Sequence, residues 1–152
     1  MKTVFAGALA LLLPFAAAAQ SVETCDWRAS AANLAEPWEE NTRTFANGAV
    51  RVALVDTLEP AAGAYYVLVI APPYDELGLP QCRLIGSGDG MGFSGMTFDA
   101  MDSGYDPSVG LILSLPAQRY NADMADFEGG VLSFAVNQAT GEILTGFEAA
   151  FE

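Results

Sequence analysis

From Val50 onward the apolar residues recur at every second position. In "VRVALV", Val50, Val52 and Leu54 fall on one side and Arg51, Ala53 and Val55 on the other. A period of two is that of a strand, whose successive side chains point to opposite faces. "AYYVLVIA" (64–71) is apolar on both sides and rich in β-branched and aromatic residues, which predicts a central strand. "QCRLIG" (81–86) predicts another. "VGLILSL" puts Val109, Leu111, Leu113 and Leu115 on one face, "GVLSFAV" does so with Leu132, Phe134 and Val136, and "EILTGFE" with Ile143 and Phe147. Turn formers separate these runs: Asn47-Gly48, "EPAAG", the three-proline loop "APPYDELGLP", and "NQATG". Short strands divided by turn signals every eight to twelve residues or so predict an all-β fold. The expected architecture is an antiparallel sandwich or small barrel of about seven strands. No strand–helix alternation points to a doubly wound sheet.

One segment has a different period. In "CDWRASAANLAEPWEE", Trp27, Ala31, Leu34 and Trp38 are near-helically spaced. Asp26 is placed to cap a first turn and Pro37 to end the helix. The spacing predicts a short N-terminal helix laid against the body by its tryptophans.

Upstream lies "MKTVFAGALALLLPFAAAAQ". A single charge at Lys2, an apolar run from Val4 to Phe15 and the small residues Ala17-Ala18-Ala19 form the layout of a secretory signal peptide, cleaved after Ala19. The run falls short of the about 20 apolar residues a spanning helix needs. Cys25 follows "SVET" and so lacks the setting of a lipid-anchored cysteine. The expectation is a signal peptide over 1–19 and one all-β domain over 20–152. That domain is exported as a soluble protein with no membrane span. The short single-lysine leader favours the periplasm over the medium.

Composition then removes chemistries. The chain has 6 Lys+Arg, 19 Asp+Glu and no histidine. Loss of Lys2, the only lysine, gives 5 − 19 = −14 after processing. Without histidine there is no imidazole base for a Ser or Cys triad and no imidazole zinc ligand. Without lysine there is no Schiff-base nucleophile and no Ser–Lys dyad. A surface this acidic repels nucleic-acid phosphates and anionic lipid. Cys25 and Cys82 are the only cysteines, and in an oxidising compartment the pair predicts one disulfide. No C-x-x-C is present to suggest a redox pair.

Three short motifs remain. "GMGFSG" (90–95) is a literal G-x-G-x-x-G, but a dinucleotide fingerprint needs its glycines between a strand and a helix. "MTFDAMDSGYDP", which follows, leaves no room for that helix. The stretch therefore reads as a flexible connection, with Gly92 and Gly95 allowing a bulge or a close approach of backbones. "DSGYD" (102–106) resembles the active-site turn of retropepsin-like aspartic proteases over five residues only. Asp99 just upstream and the bulk of Tyr105 depart from that pattern, and a second motif is absent. It reads as an acidic turn before a strand. "YNADMADFEGG" offers the oxygen ligands Asn121, Asp123, Asp126 and Glu128, which suit calcium, the one cofactor the chain leaves open. Their spacing is not that of an EF-hand, and solvated acidic loops are the preferred reading.

No catalytic residue is assigned. The leading expectation is a non-enzymatic binding or envelope-interaction domain, meeting a protein or glycan of the envelope. The alternatives are a small hydrolase working through carboxylates alone and a barrel carrying an apolar ligand. Carboxylates facing across a cleft would favour the hydrolase. A large internal cavity would favour the carrier, and a filled core with a flat exposed aromatic patch the interaction domain.

Overall fold

The structure, a computed structural model, describes residues 20–88 and 90–150, so the expected leader lies outside the described residues. The described residues form ten strands: β1 (Ser21–Thr24), β2 (Thr42–Phe45), β3 (Val50–Asp56), β4 (Tyr65–Tyr74), β5 (Pro80–Gly86), β6 (Gly95–Met96), β7 (Asp102–Asp106), β8 (Gly110–Asn121), β9 (Asp126–Val136) and β10 (Ile143–Ala149). They form two antiparallel five-stranded sheets. The first runs β1-β5-β4-β3-β2 and the second β10-β9-β8-β6, with β7 also paired to β8. Among the described residues no helix is long and apolar enough to cross a membrane.

The alternating positions make the core. Val50, Val52, Leu54, Val67, Val69 and Ile85 from the first sheet meet Leu111, Leu113, Leu115, Leu132, Phe134 and Val136 from the second in one buried cluster. Each residue faces inward because its neighbours two positions away do. The architecture is a sandwich.

Four differences from the sequence reading have physical causes. The strand count exceeds seven because β1, β2, β6 and β7 are short or polar and lie at sheet edges, where no apolar alternation is needed. "DSGYD" is itself a strand, β7, fully exposed and paired with Gly110–Ser114, rather than a turn before one. β4 continues through Pro72 and Pro73 to Tyr74, with a register shift between Ala71 and Tyr74 that accommodates the missing N–H donors. The expected N-terminal helix is absent. The segment forms two 3-10 turns, Trp27–Ala29 and Ala31–Asn33, interrupted at Ser30. Ser30 is extended and caps the second turn through its own hydroxyl, competing with helical continuation. Asp26 does cap the first turn, accepting from the Arg28 N–H at 3.0 Å. The tryptophans do not anchor the segment: Trp27 is 70% and Trp38 54% exposed.

The segment is held by other residues. The first sheet has a second apolar surface on its outer side, made by Ala53, Val55, Tyr66, Leu68 and Leu84. Ala29 and Leu34 pack on it together with Cys25 and Cys82. Those cysteines are joined, with Cα atoms 5.4 Å apart. The disulfide thus fixes the start of a covering strap, and the Leu34 bridge to Val55 fixes its end.

The glycine-rich stretch is the crossing from the first sheet to the second. The backbones of Tyr65 and Phe93 exchange both hydrogen bonds, at 2.7 and 3.0 Å, where the chain passes the start of β4. Phe93 is fully buried there and plugs the core. Gly92 lies so close to the Tyr65 and Gly63 carbonyls that no side chain fits. Gly95 has no such constraint, its nearest neighbour lying 3.8 Å from a Cβ.

Candidate functional site

The acidic candidates lie at the hairpin joining β8 to β9, and each of three is engaged locally. The Asn121 side-chain oxygen accepts from the N–H groups of Asp123 and Met124 at 3.0 and 3.3 Å. Asp126 accepts from the Phe127 N–H at 2.7 Å. Glu128 pairs with Arg119 Nε at 2.8 Å. Asp123 stands exposed in the turn. Among the described residues no group of three or more acidic or cysteine side chains converges as a metal would need. In β7, Asp106 accepts from both the N–H and the hydroxyl of Ser108, and these bonds hold its carboxyl below the usual range. Asp99 sits in a separate 3-10 turn, Phe98–Ala100.

Three clefts hold carboxylates: an open one of about 490 Å³ at Glu36, Pro37, Trp38 and Glu39, and two more enclosed ones. One, of about 330 Å³, brings Glu36 and Asp56 together with Asn41, Tyr65 and Ser94 beside the crossing. Glu36 is exposed, and Asp56 accepts from the Leu58 N–H at 2.8 Å. The other, of about 350 Å³, is lined by Glu23, Asp26, Trp27, Glu59 and Tyr66 around Arg28, the one buried charged residue among the described residues. Arg28 Nε donates to both Asp26 oxygens at 2.9 and 3.1 Å, and Nη2 donates to Glu23. Its guanidinium lies 4.9 Å over the Tyr66 ring. The hydrogen bond to Asp26, opposed by burial and aided by Glu23, raises the Arg28 pKa and keeps it charged. These bonds tie the strap to β1 and β4, a structural clasp with every charge paired.

The clasp makes stability depend on acid. The hydrogen bond from Arg28 is the largest of the causes that lower the Asp26 pKa. A lowered folded pKa stabilises above the ordinary aspartate value of about 3.9, and that contribution is lost as pH falls through the depressed value. Asp26→Asn lacks it. The stability gap between wild type and Asp26→Asn should therefore close on acidification from neutral pH into the range below about 4, as followed by urea unfolding. A gap that stays constant over that range would remove the clasp from the acid response.

The remaining feature is a surface. Inward residues of β8 and β9 alternate with outward ones, and no segment among the described residues covers the outward set. Cross-strand rows read Ile112–Ala135–Leu144, Ser114–Ser133–Gly146, Pro116–Val131–Glu148, Gln118–Gly129 and Tyr120–Phe127. Tyr120 and Phe127 meet edge to face with centroids 5.6 Å apart. Val131 and Leu144 are 43% and 48% exposed. Ser, Gly and Ala keep the middle flat. Charge appears only at the margins, at Glu148 and at Asp102 and Asp106 on β7. A signal for this was in the sequence: neither 107–118 nor 129–141 contains a charged residue, in a chain with 19 acids. The runs look like ordinary strands until the register shows that their outward halves are uncharged too.

Comparison of the chain with protein-family models, with curated proteins and with solved structures finds no match.

Proposed function

We propose that this chain is an exported, non-enzymatic interaction domain that docks an envelope protein on the outer face of its second sheet. The observation that carries the reading is the contrast between the two outer faces. The first sheet's apolar outer face is covered by the chain's own strap, stapled by Cys25–Cys82. The second sheet's flat, uncharged face carries no such cover among the described residues. An exposed apolar patch rimmed by polar groups is the mark of an interaction site. A disulfide is the chemistry of an oxidising compartment outside the cytoplasm, which supports export, and the periplasm is the preferred location.

The filled core weighs against the carrier, since Leu113, Leu132, Phe134 and Val136 close the space between the sheets. A protein partner suits the face better than a glycan. Its centre offers aliphatic and small side chains with few of the amides and carboxylates that sugar hydroxyls need. The acidic margin at Asp102, Asp106 and Glu148 complements a partner whose rim is basic.

The test is site-specific photo-crosslinking in exporting cells. A photo-reactive residue at Val131 should give one discrete protein adduct, and one at Glu76, in the β4–β5 loop of the other sheet, should not. Leu144→Lys in the Val131 derivative should abolish the adduct by placing a charge on the docked face, while the melting temperature stays within about 3 °C of the parent because Leu144 is exposed. Equal adducts at Val131 and Glu76, or none at Val131, would refute docking on this face.

A further inference from the structure

We propose that β10 is an open edge that accepts an extended segment of a different protein as an added strand, a reading that deepens the docking role of the second sheet. The sandwich has several edges, and most are guarded. β1 and β2 are four residues long, β6 is two, and β7 carries an aspartate at each end. Short length and charge are the ordinary protections of an edge. β10 has neither. It runs seven residues, and Glu148 is its single charge. Among the described residues no strand pairs with its far side.

Register identifies the available backbone groups. Asn137 N–H donates to the Glu142 carbonyl and Ala150 N–H to the Gly129 carbonyl, each at 2.9 Å. Hydrogen-bonded and non-bonded pairs alternate along an antiparallel ladder. Leu144, Gly146 and Glu148 therefore exchange bonds with β9. The N–H and C=O groups of Ile143, Thr145, Phe147 and Ala149 point away from it. Their side chains turn inward, and Ile143 and Phe147 pack against the core, so the edge is rigidly presented. An added strand would bond to this backbone row and extend the flat outer face, the geometry of strand-addition recognition.

Charge selects the occupant. Glu142 and Glu148 flank the row. A two-fold pairing of two copies centred on Thr145 sets Glu148 of each against Glu142 of the other, and in every register, including the full overlap centred on Gly146 that sets Glu148 against Leu144, each processed copy brings a net charge of −14. Like charges directly opposite are destabilising across strands. The occupant is therefore a foreign strand of alternating β-formers with Lys or Arg toward its ends.

The probe is a labelled nine-residue peptide of alternating valine and threonine with an arginine at each end, followed by fluorescence anisotropy. It should bind the processed wild-type protein saturably below about 1 mM, and about tenfold more weakly when glutamates replace its arginines. Methylating its central amide nitrogens should abolish binding without altering the protein. Thr145→Pro should abolish it too, since proline removes an N–H that β9 does not use and is tolerated at an edge. A peptide that does not saturate, or binds equally well when N-methylated, overturns the edge proposal. If the Val131 adduct persists in that case, docking on the face stands alone. A dimer in sedimentation that Thr145→Pro dissolves would also overturn it, making the occupant a second copy. Should Thr145→Pro fail to fold, the N-methylated peptide decides.

Discussion

Replacing Cys25 and Cys82 together by alanine is expected to lower the melting temperature by about 15 °C. The bridge spans 57 residues of sequence. Closing a loop of that length removes enough chain entropy from the unfolded state to be worth about 4 kcal/mol. A domain of this size has an unfolding entropy of roughly 0.27 kcal/mol/K at its midpoint, which converts that figure into about 15 °C. The native state should suffer as well. Cys25 begins the strap that covers Val55, Tyr66, Leu68 and Leu84, and freeing it leaves the strap held by Leu34 and by the Arg28 clasp. Hydrogen exchange over 25–35 should then accelerate before global unfolding, and a dye that reports exposed apolar surface should bind the variant under native conditions. A change below about 3 °C, with exchange in the strap unaltered, would mean that packing alone holds it.

The difference between strap and helix shows what the sequence made legible. Strands β3, β4, β5, β8, β9 and β10 contain runs with strong alternation or dense β-branched content, and burial on one or both faces demands those patterns. The cysteine pair followed from arithmetic. The strap misled because its four spaced apolar residues satisfy a helical template, although only Leu34 is used as a template would require. Asp26 and Ser30 each bond their own local N–H groups, and the chain follows those caps through two 3-10 turns. Edge strands were illegible for the opposite reason. Ser21–Thr24 and Asp102–Asp106 bury little, so nothing in their side chains announces a strand, and only a neighbour's unmet backbone groups call them into the sheet. The candidate face needed register as well as pattern. Residues 107–118 and 129–141 declare themselves uncharged, but that Pro116 stands beside Val131 and Ile112 beside Ala135 is a property of pairing.

Gly92→Ala is expected to cost roughly 3–5 kcal/mol, comparable to removing a buried aromatic side chain. A Cβ at Gly92 would lie 2.5 Å from the Tyr65 carbonyl oxygen, 2.6 Å from that of Gly63 and 2.8 Å from the Tyr66 ring. Two of the three obstacles are backbone and cannot swing aside. Relief requires moving the crossing outward, which breaks the bond from Gly92 N–H to the Gly63 carbonyl at 2.9 Å and the reciprocal pair between Tyr65 and Phe93. Phe93 then leaves the core, where it is fully buried against Phe147. The other glycines of the motif have different requirements. Gly90 has open space around its Cβ position but a φ of +75°, so alanine there should cost about 1–2 kcal/mol of backbone strain. Gly95 has neither constraint, and alanine should fall within about 0.5 kcal/mol of wild type. Equilibrium urea unfolding of the three variants at a common m-value measures the order. A phosphate-cradling loop would make the three glycines functional while leaving stability nearly indifferent. A packed crossing makes Gly92 alone severe, and equal costs at all three positions would refute it.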